Sequence, residues 1–568
     1  MNRVPDRTPA LDPRLRLQPD TARYTLPRFL QDVTERHAGL PALFFDGQIV
    51  SYEQLQEAAR RLACALVASG VVKGARVGLL MANRPDWVVS AFAVSMTGAV
   101  IVPVNTFATP EERDYILRHA DVSVLLMQPA LLKREFVAEL LASHPGLEQA
   151  EPGRICIVAL PQLRRIVCFG AHSLCGGIES GETFLGRSAQ IDEELLDAIG
   201  QEVTPADDAV LIYTSGTTAR PKGILHMQRA PVIQSWRFAE LMGLEADDRV
   251  LTAQPLFWSA GMAMSLGATL AAGATLILQE TFDAGAALEL VERERATALH
   301  AWPHQEKSMA EHPDARSRDL SSLRKIEFSS PLAPLAGLEA DKWGTYGSYG
   351  LSETFTLASA LPASAPAEQR AATSGRPLPG MEMRIADPVM GVPVCTDEPG
   401  EIALKGVTFM RAYYKVEPEL YLDEYGFFRT QDGGRFDDDG LLHWTGRLSN
   451  LIKTGGANVS PLEIEEAAAG CTGIQASAAL GVPHPTLGEA IVLCAVVAPG
   501  ATLDRDMLAA HLRTKLAAYK QPRVILKFDA AEVSFTGNQK LQIEPLRDAA
   551  YERLAIEHVE IAGYRYGA

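Results

Sequence analysis

The apolar positions along the chain form short buried runs that alternate with amphipathic segments. From residue 51 onward, the apolar residues Leu55, Ala59, Leu62 and Leu66 lie three or four positions apart, which predicts one buried helix face. Ser51 and Gln54 predict a capping box at the start of this helix. Predicted strands at 76–80, 100–104 and 122–127 alternate with predicted helices at 87–96 and 110–119. The alternation predicts βαβ units in a doubly wound, largely parallel sheet, and a similar pattern returns from 209 to 346.

The pattern changes in the last third of the chain. Residues 384–445 read as short strands joined by Gly and Asp turns such as Asp423-Glu-Tyr-Gly426, which predicts an antiparallel, barrel-like β subdomain. A smaller α+β unit follows, with a helix predicted at 461–469. We therefore expect an α/β protein with a large N-terminal domain at 1–450, which includes a loosely ordered arm at 1–25, and a small mobile C-terminal domain at 451–568.

Two uncharged stretches, 87–104 and 251–279, are long enough to raise the question of a membrane span. Both are interrupted by Pro and Gly, whereas a spanning helix needs roughly 20 predominantly apolar residues. A buried helix that runs into a buried strand is the interpretation we favour, and we expect no membrane span.

Composition narrows the function classes further. The 568 residues carry a net charge of -17 and no concentrated run of Lys and Arg, which argues against a nucleic-acid partner and against an anionic membrane surface. The seven cysteines form no Cys-x-x-Cys pair and predict reduced thiols, with no metal site among them. The first residues contain no apolar segment typical of a secretory signal, so a cytoplasmic enzyme is expected.

Candidate chemistry begins at the loop after the predicted strand 209–213. Its sequence is Thr214-Ser-Gly-Thr-Thr-Ala-Arg-Pro-Lys-Gly223. Hydroxyl groups, glycine backbone amides and two cations are the groups that bind polyphosphate. The loop lacks the Gly-Lys-Ser/Thr end of a Walker loop, and its alternative interpretation is a polar surface turn.

This loop resembles the phosphate-binding signature of the acyl-adenylate-forming superfamily, which includes acyl-CoA synthetases, luciferases and the adenylation domains of peptide synthetases. The resemblance extends from about 52 to 547, and five motifs occur in the family's order. It implies that the phosphates of ATP contact Thr214, Ser215, Gly216, Thr217, Thr218 and Lys222. Ala219 stands where the family usually has Gly.

Two further motifs imply the nucleotide and metal contacts. In Ser348-Tyr-Gly-Leu-Ser-Glu-Thr354, the resemblance implies that Ser348, Tyr349 and Gly350 hold the adenosine. In the same motif it places Ser352 at the α-phosphate and Glu353 at Mg²⁺. In Phe428-Arg-Thr-Gln-Asp432, it implies that Asp432 binds the ribose hydroxyls, with Gln431 in place of the usual Gly.

The last two motifs imply a moving C-terminal domain. In the segment 446–456, the resemblance assigns Arg447 to the ribose or phosphate, Asn450 to the hinge, and Gly455 and Gly456 to the coenzyme A tunnel. Asn450 replaces the usual Asp or Lys. In Thr536-Gly-Asn-Gln-Lys-Leu541, Lys540 is implied to bridge the acid carboxylate and the α-phosphate, with Gln539 in place of Gly. The implied catalytic residues are Lys540, Glu353 and Thr214.

The acid is expected to be apolar and bulky. Trp258 occupies a position that is His in many members, and the absence of the Asp found in peptide-synthetase domains disfavours an amino acid. The predicted pocket comprises Trp258, Gly261, Met262, Phe328 and Gly347; alternatively, Met262 and Met264 are ordinary core. His300 and His304 are spaced like a metal pair, but core or pocket-wall residues are the favoured interpretation.

The resemblance therefore implies ATP-dependent activation of a fatty, alicyclic or other bulky acid to an acyl-adenylate, followed by transfer to coenzyme A. The expected cofactors and substrates are ATP, Mg²⁺ and coenzyme A, and the expected assembly is a monomer or homodimer. Three alternatives stay open. They are a ligase that serves an acyl carrier protein, a non-catalytic nucleotide-binding relative, and a phosphotransferase that yields ADP.

Overall fold

The structure is a computed structural model, and it describes most of the chain. The described residues are 24–170, 174–214, 221–388, 390–448, 452–459, 461–469, 471, 473–498, 500–533, 541 and 543–567. The predicted arm except Tyr24 and Thr25, the loop residues 215–220, Asn450 and Lys540 lie outside them.

The largest sheet has eight strands. Their spatial order is Ala412–Tyr413, Lys222–Met227, Asp208–Thr214, Val100–Pro103, Arg76–Leu80, Val124–Met127, Arg165–Cys168 and Ile178–Ser180. The six strands from Asp208–Thr214 to Ile178–Ser180 are parallel, whereas the two at the other edge are antiparallel. The predicted parallel sheet is confirmed, and the strands at 76–80, 100–103 and 124–127 lie within one or two residues of their predicted bounds.

Both faces of this sheet are buried, because successive side chains of a strand point to opposite faces. Leu79 and Leu126 belong to one hydrophobic cluster, whereas their chain neighbours Leu80 and Leu125 belong to a second. Burial on both faces explains why these strands are apolar at nearly every position.

A second sheet has five strands, in the order Ala298–His300, Arg249–Thr252, Thr275–Leu278, Pro41–Phe45 and Gln48–Ser51. The first four are parallel and the last is antiparallel. The uncharged stretch at 251–279 thus contains two buried strand segments and an intervening helix, as predicted.

The helices are mostly short, and side-chain caps begin Tyr52–Ala68, Pro110–His119, Gly181–Leu185 and Ala284–Glu294. The α-helices of the large domain are Leu26–His37, Tyr52–Ala68, Pro85–Met96, Pro110–His119, Phe136–Ser143, Gly181–Leu185, Glu193–Gln201, Arg229–Met242, Ala268–Ala272, Ala284–Glu294, Pro303–Ala310 and Ala367–Ala372. A π-helix spans Gly261–Gly267, and 3-10 turns occur at Pro145–Leu147, Gly186–Gln190, Pro313–Arg316, Ser352–Thr354, Pro418–Leu420, Ala518–Lys520 and Ala530–Glu532. The capping box predicted at Ser51 is confirmed, since its hydroxyl accepts from the Gln54 amide and the Gln54 side chain accepts from the Ser51 amide.

Antiparallel strands follow the two large sheets. A three-stranded sheet contains Ser348–Tyr349, Ser359–Ala360 and Arg376–Pro377, and a four-stranded sheet contains Met381–Ala386, Gly400–Gly406, Phe428–Phe436 and Leu442–Arg447. Two-residue hairpins pair Ala130–Leu131 with Arg134–Glu135 and Glu560–Ile561 with Tyr564–Arg565. The antiparallel strands predicted for 384–445 are therefore present.

The C-terminal part forms its own sheet and core. Its strands are Ala457–Val459, Ile452–Thr454, Gly488–Val497, Ile474–His484 and Val524–Asp529, and its helices are Pro461–Ala469, Arg505–Lys515 and Ile543–Ile556. Two hydrophobic clusters are built from this part alone. The mixed α/β architecture with a large N-terminal and a small C-terminal domain is confirmed, whereas the boundary at 450 stays a prediction. Among the described residues, no helix is long and apolar enough to cross a membrane.

Candidate active site

The two ends of the predicted phosphate loop are fixed by strand pairing. Thr214 ends one strand and Lys222 begins the next, and the two residues are direct antiparallel partners. A turn that leaves and re-enters a sheet at paired positions has its two ends held together. Both ends of the loop are therefore fixed at the C-terminal end of the strand Asp208–Thr214. Ser215, Gly216, Thr217 and Thr218 lie between these ends, outside the described residues.

A tyrosine holds the Glu353 side chain near the two ends of the loop. Tyr413 belongs to a two-residue strand whose register places it opposite Ile224. Its hydroxyl donates to Oε1 of Glu353 over 2.6 Å, and the Nζ of Lys222 lies 4.9 Å from the centre of its ring. A hydrogen bond to a carboxylate fixes the direction of that carboxylate, so the Glu353 side chain is oriented in advance.

The backbone next to Glu353 is held by a buried histidine. Nε2 of His226 donates to the carbonyl oxygen of Ser352 over 2.8 Å, and the Glu353 carbonyl accepts from the Met410 amide over 2.7 Å. Burial lowers the pKa of His226 to about 4, so the imidazole is neutral near pH 7. The predicted α-phosphate residue Ser352 therefore sits on a fixed turn.

Asp432 lies on the neighbouring antiparallel sheet, where it is 5% exposed. The hydroxyl of Tyr349 donates to its Oδ2 over 2.8 Å. Asp432 is also the register partner of Arg447, whose side chain is outside the description. The two predicted nucleotide residues Tyr349 and Asp432 thus form one buried pair.

The structure accommodates Gln431 at a position where the family usually has Gly. Its φ is 60°, in the left-handed region that favours glycine, and its amide donates to Oε1 of Glu401 over 2.8 Å. The turn that presents Asp432 is therefore kept with a non-glycine residue. Gly350 cannot be replaced by a larger residue without a shift of the backbone, because a Cβ there would lie 1.7 Å from the carbonyl oxygen of Thr356.

These residues surround one cavity of about 660 Å³. Its lining includes Thr214, Lys222, Glu353, Tyr413 and Asp432. Three segments of the chain, 214–222, 351–353 and 388–432, therefore meet around one cavity. Ser348 and Tyr349 do not line this cavity. The Ser348 hydroxyl donates to the Thr345 carbonyl, and the Tyr349 hydroxyl donates to the Asp432 carboxylate.

A second, more apolar cavity of about 330 Å³ lies between the two domains. Trp258 and Trp302 line it with their ring centres 6.3 Å apart, and Gly455 of the small domain completes it. A Cβ on Gly456 would lie 2.6 Å from Cε3 of Trp302. The segment predicted to line the thiol tunnel is thus in contact with the wall that contains Trp258.

The other predicted acyl-pocket residues are not on this lining. Gly261 begins the π-helix, and a Cβ there would lie 2.0 Å from the Pro255 carbonyl oxygen. Met262 is 7% exposed within the main hydrophobic cluster, whereas Phe328 is 41% exposed. Gly347 lies against Leu361 and the backbone of residue 370.

The two histidines near Trp302 occupy different environments. Nδ1 of His300 is 3.1 Å from the Ser265 hydroxyl, and burial lowers the pKa of His300 to about 4. His304 lines the second cavity beside Gly455, and burial lowers its pKa as well. Within the described residues, no group of His, Cys, Asp and Glu has the geometry of a metal site.

Sequence reasoning missed Tyr413 and His226. Neither lies in a motif, and neither has a local pattern that predicts its role. Tyr413 reaches Glu353 only because its strand joins the edge of the eight-stranded sheet. His226 lies in the buried, mostly apolar run of the strand Lys222–Met227, a pattern that indicates only a strand.

Two family models match this chain. The AMP-binding enzyme model matches residues 30–414, and the model of the AMP-binding enzyme C-terminal domain matches residues 463–540. The chain belongs to the AMP-binding enzymes. It is an ATP-dependent, AMP-forming acid–thiol ligase, with ATP, Mg²⁺ and coenzyme A as its cofactors and substrates.

Individual relatives align over nearly the whole chain. An indoleacetate–CoA ligase of Aromatoleum aromaticum is 33% identical over 93% of this chain and 99% of its own length. A second relative, from Mycobacterium tuberculosis, is a CoA ligase for a propanoyl group that carries a methyl-dioxo-octahydro-indenyl ring system. It is 32% identical over 88% of this chain and 94% of its own length. The solved amide bond synthetase McbA of Marinactinospora thermotolerans matches with a TM-score of 0.74 and 28% identity, over 92% of this chain and 99% of that chain.

Proposed function

We propose that this enzyme activates a bulky, ring-bearing carboxylic acid with ATP and transfers the acyl group to coenzyme A. The observation that carries the proposal is the meeting of Thr214, Lys222, Glu353 and Asp432 around one cavity. Anionic phosphates need donors and a cation at one end of such a site, and a ribose needs a carboxylate at the other.

In the proposed first half-reaction, an oxygen of the acid carboxylate attacks the α-phosphorus of ATP, and the bond to pyrophosphate breaks. Lys222 and the loop anchored at Thr214 hold the departing phosphates, and Asp432 accepts the ribose hydroxyls. No protein nucleophile is required, because orientation of the two reactants supplies much of the rate acceleration.

Glu353 suits Mg²⁺, because a carboxylate is the hard oxygen ligand this ion prefers. When bound, Mg²⁺ supplies charge neutralisation at the phosphates. The chain's own contribution is the fixed direction of the Glu353 carboxylate, set by Tyr413. Lys540, expected at the α-phosphate, and Asn450, the expected hinge, lie outside the described residues, and their roles stay part of the proposal.

In the proposed second half-reaction, the thiol sulfur attacks the acyl carbonyl, AMP leaves with the bonding electrons, and the thiol proton passes to solvent. The cavity between Trp258, Trp302 and Gly455 is the proposed path of the thiol. Its mostly apolar wall, which includes Trp258 and Trp302, limits the access of water and so protects the adenylate from hydrolysis.

The proposed substrate carries rings on a short carboxyalkyl chain. The names of two relatives support this, because indoleacetate and the octahydro-indenyl propanoyl group both place a carboxyl group on a short chain attached to fused rings. Trp258 offers a flat aromatic face to such a substrate. The described cysteines are all free thiols, which supports a reducing, cytoplasmic setting.

The test is an acid panel assayed for pyrophosphate release with and without coenzyme A. Arylacetic, bicyclic and straight-chain acids of matched carbon number are compared, and the nucleotide product is identified. We expect AMP, not ADP, and a thioester of a ring-bearing acid. Adenylate formation with transfer only to a carrier protein or an amine would refute coenzyme A as acceptor, and equal rates for straight-chain acids would refute the substrate class. The assembly is proposed to be a monomer or a homodimer, and gel filtration with light scattering decides between the two.

A further inference from the structure

A buried ammonium group joins the two domains. Lys520 is 3% exposed, and its Nζ lies 2.7 Å from Oε1 of Glu463 and 2.9 Å from Oε1 of Glu112. Glu463 and Lys520 belong to the small domain, whereas Glu112 is in the helix Pro110–His119 of the large domain. We call these three residues the Lys520 cluster.

The ammonium of this cluster stays charged. Burial by itself lowers the pKa of Lys520, but Tyr519, Glu463 and Glu112 more than reverse this effect, so the pKa lies above its usual value. A buried charge that loses a partner is strongly unfavourable, whereas a solvated one is not. The pair with Glu463 moves with the small domain, but the pair with Glu112 exists only while the domains keep this arrangement.

The residue before Lys520 connects the cluster to the second cavity. The ring of Tyr519 lies edge-on to that of Trp258 with centres 6.3 Å apart, and Nδ2 of Asn105 donates to its hydroxyl over 3.5 Å. Tyr519 and Gly455 line the same cavity. The arrangement that buries Lys520 is therefore the one that holds the Gly455–Gly456 segment against Trp302.

We propose that Glu112 and Lys520 are positioning residues for the thioester-forming half-reaction, because their buried ion pair stabilises the domain arrangement in which Gly455 and Gly456 complete the thiol path. The inference rests on the proposed two-step function and adds residues that touch neither reactant. In the proposed function the small domain moves about Asn450 between the two half-reactions, so we expect adenylation not to depend on this contact.

The test compares Glu112→Gln with Glu111→Gln. Glutamine at 112 has one acceptor oxygen, which keeps the reciprocal cap with Thr109, so the helix start is preserved while Lys520 loses its charged acceptor. The control lies next to it on the same helix, where Glu111 forms an exposed pair with Lys515 over 3.1 Å. Lys520→Met removes the other partner with little change in side-chain length.

We expect Glu112→Gln and Lys520→Met to lower the rate of acyl transfer to coenzyme A about tenfold while acid-dependent ATP–pyrophosphate exchange stays within about twofold. Glu111→Gln leaves both rates unchanged. Equal losses in both half-reactions, or no loss in acyl transfer, would overturn the proposal.

Hydrogen exchange gives a readout independent of turnover. Amides of the helix Pro110–His119 and of the segment Ala457–Val459 exchange faster in Glu112→Gln than in wild type if the pair holds the domains together, and unchanged exchange would overturn the proposal. If wild-type enzyme shows no acid-dependent exchange of pyrophosphate, the proposed function fails, whereas the amide data still report on the Lys520 cluster.

Discussion

The hydroxyl of Tyr413 donates to a carboxylate oxygen of Glu353 over 2.6 Å, across 60 positions of the chain. The bond crosses from the edge strand of the eight-stranded sheet to the turn that contains the predicted metal ligand. It couples the strand that follows the phosphate loop to the group expected to hold Mg²⁺, because Tyr413 pairs with that strand and also contacts Lys222.

Replacement of Tyr413 by Phe removes this bond and leaves the ring in place. A hydrogen bond to a charged group contributes about 1.5–3 kcal/mol, so we expect ATP–pyrophosphate exchange at limiting Mg²⁺ to fall about tenfold or more. A Mg²⁺ titration of the exchange rate measures the effect. The matched control is Tyr414→Phe, whose hydroxyl donates to Asp121 instead. A Tyr413→Phe enzyme with the wild-type Mg²⁺ dependence would show that the bond does not orient Glu353.

Gln431 tests the strain at the nucleotide turn. Since its φ is 60°, glycine at this position loses the steric cost of about 1–2 kcal/mol, partly offset by its greater freedom in the unfolded chain. We expect Gln431→Gly to raise the free energy of unfolding by up to about 1 kcal/mol, and Gln431→Val to lower it. Urea denaturation of both variants checks the sign. A destabilised glycine variant would mean that the glutamine side chain contributes more than the backbone costs.

Gly456 tests the contact between the domains. An added Cβ would lie 2.6 Å from Trp302, so we expect Gly456→Ala to displace the segment and slow thioester formation by more than about tenfold, with pyrophosphate exchange retained. Gly500→Ala is the matched control. Its φ of 75° is close to the 81° of Gly456, but its Cβ would meet nothing within 4 Å. Similar losses in the two variants would attribute the effect to backbone strain rather than to Trp302.

The low pKa of the buried His226 predicts that the free energy of unfolding falls in acid. Its pKa of about 4 in the folded chain is below the usual value of about 6.5, so the unfolded chain binds more protons between these values. The stabilisation is complete above pH 6.5 and is lost as the pH falls toward 4, by up to about 3 kcal/mol for this group.

Denaturation curves between pH 4 and 8 measure this dependence. We expect His226→Asn to reduce the slope of stability against pH below 6.5. An unaltered slope in His226→Asn would show that His226 does not contribute to the acid sensitivity.

Much of the fold follows from local patterns. The capping box at Ser51, the helix at 461–469 and the strand at 76–80 were predictable because caps and side-chain periodicity act over a few residues. The segments that contain Thr214, Glu353 and Asp432 could be singled out because each is a contiguous motif. The structure brings these three residues to one cavity, whereas their roles stay predictions. The two uncharged stretches were interpreted correctly from their Pro and Gly, which interrupt any long helix.

Other features have no local signature. The order of strands in the sheet decides that Tyr413 meets Glu353, and the packing of the main core decides that Met262 is buried there while Phe328 is half-exposed. Of the residues predicted for the acyl pocket, Trp258 alone lines the second cavity, and the position of the acyl pocket stays a prediction. Side chains that converge from distant segments depend on layer geometry, which short-range patterns do not specify.

The sequence by itself determined the family and the alternation that makes an α/β protein. Only the tertiary structure decided which groups support the motif residues: Tyr413 behind Glu353, Tyr349 behind Asp432, and the Glu112–Lys520 pair behind the Gly455–Gly456 segment. The reason is physical. A motif fixes residue types over a few positions, whereas each supporting contact depends on sheet register or domain placement, which arise from the summed packing of the whole chain.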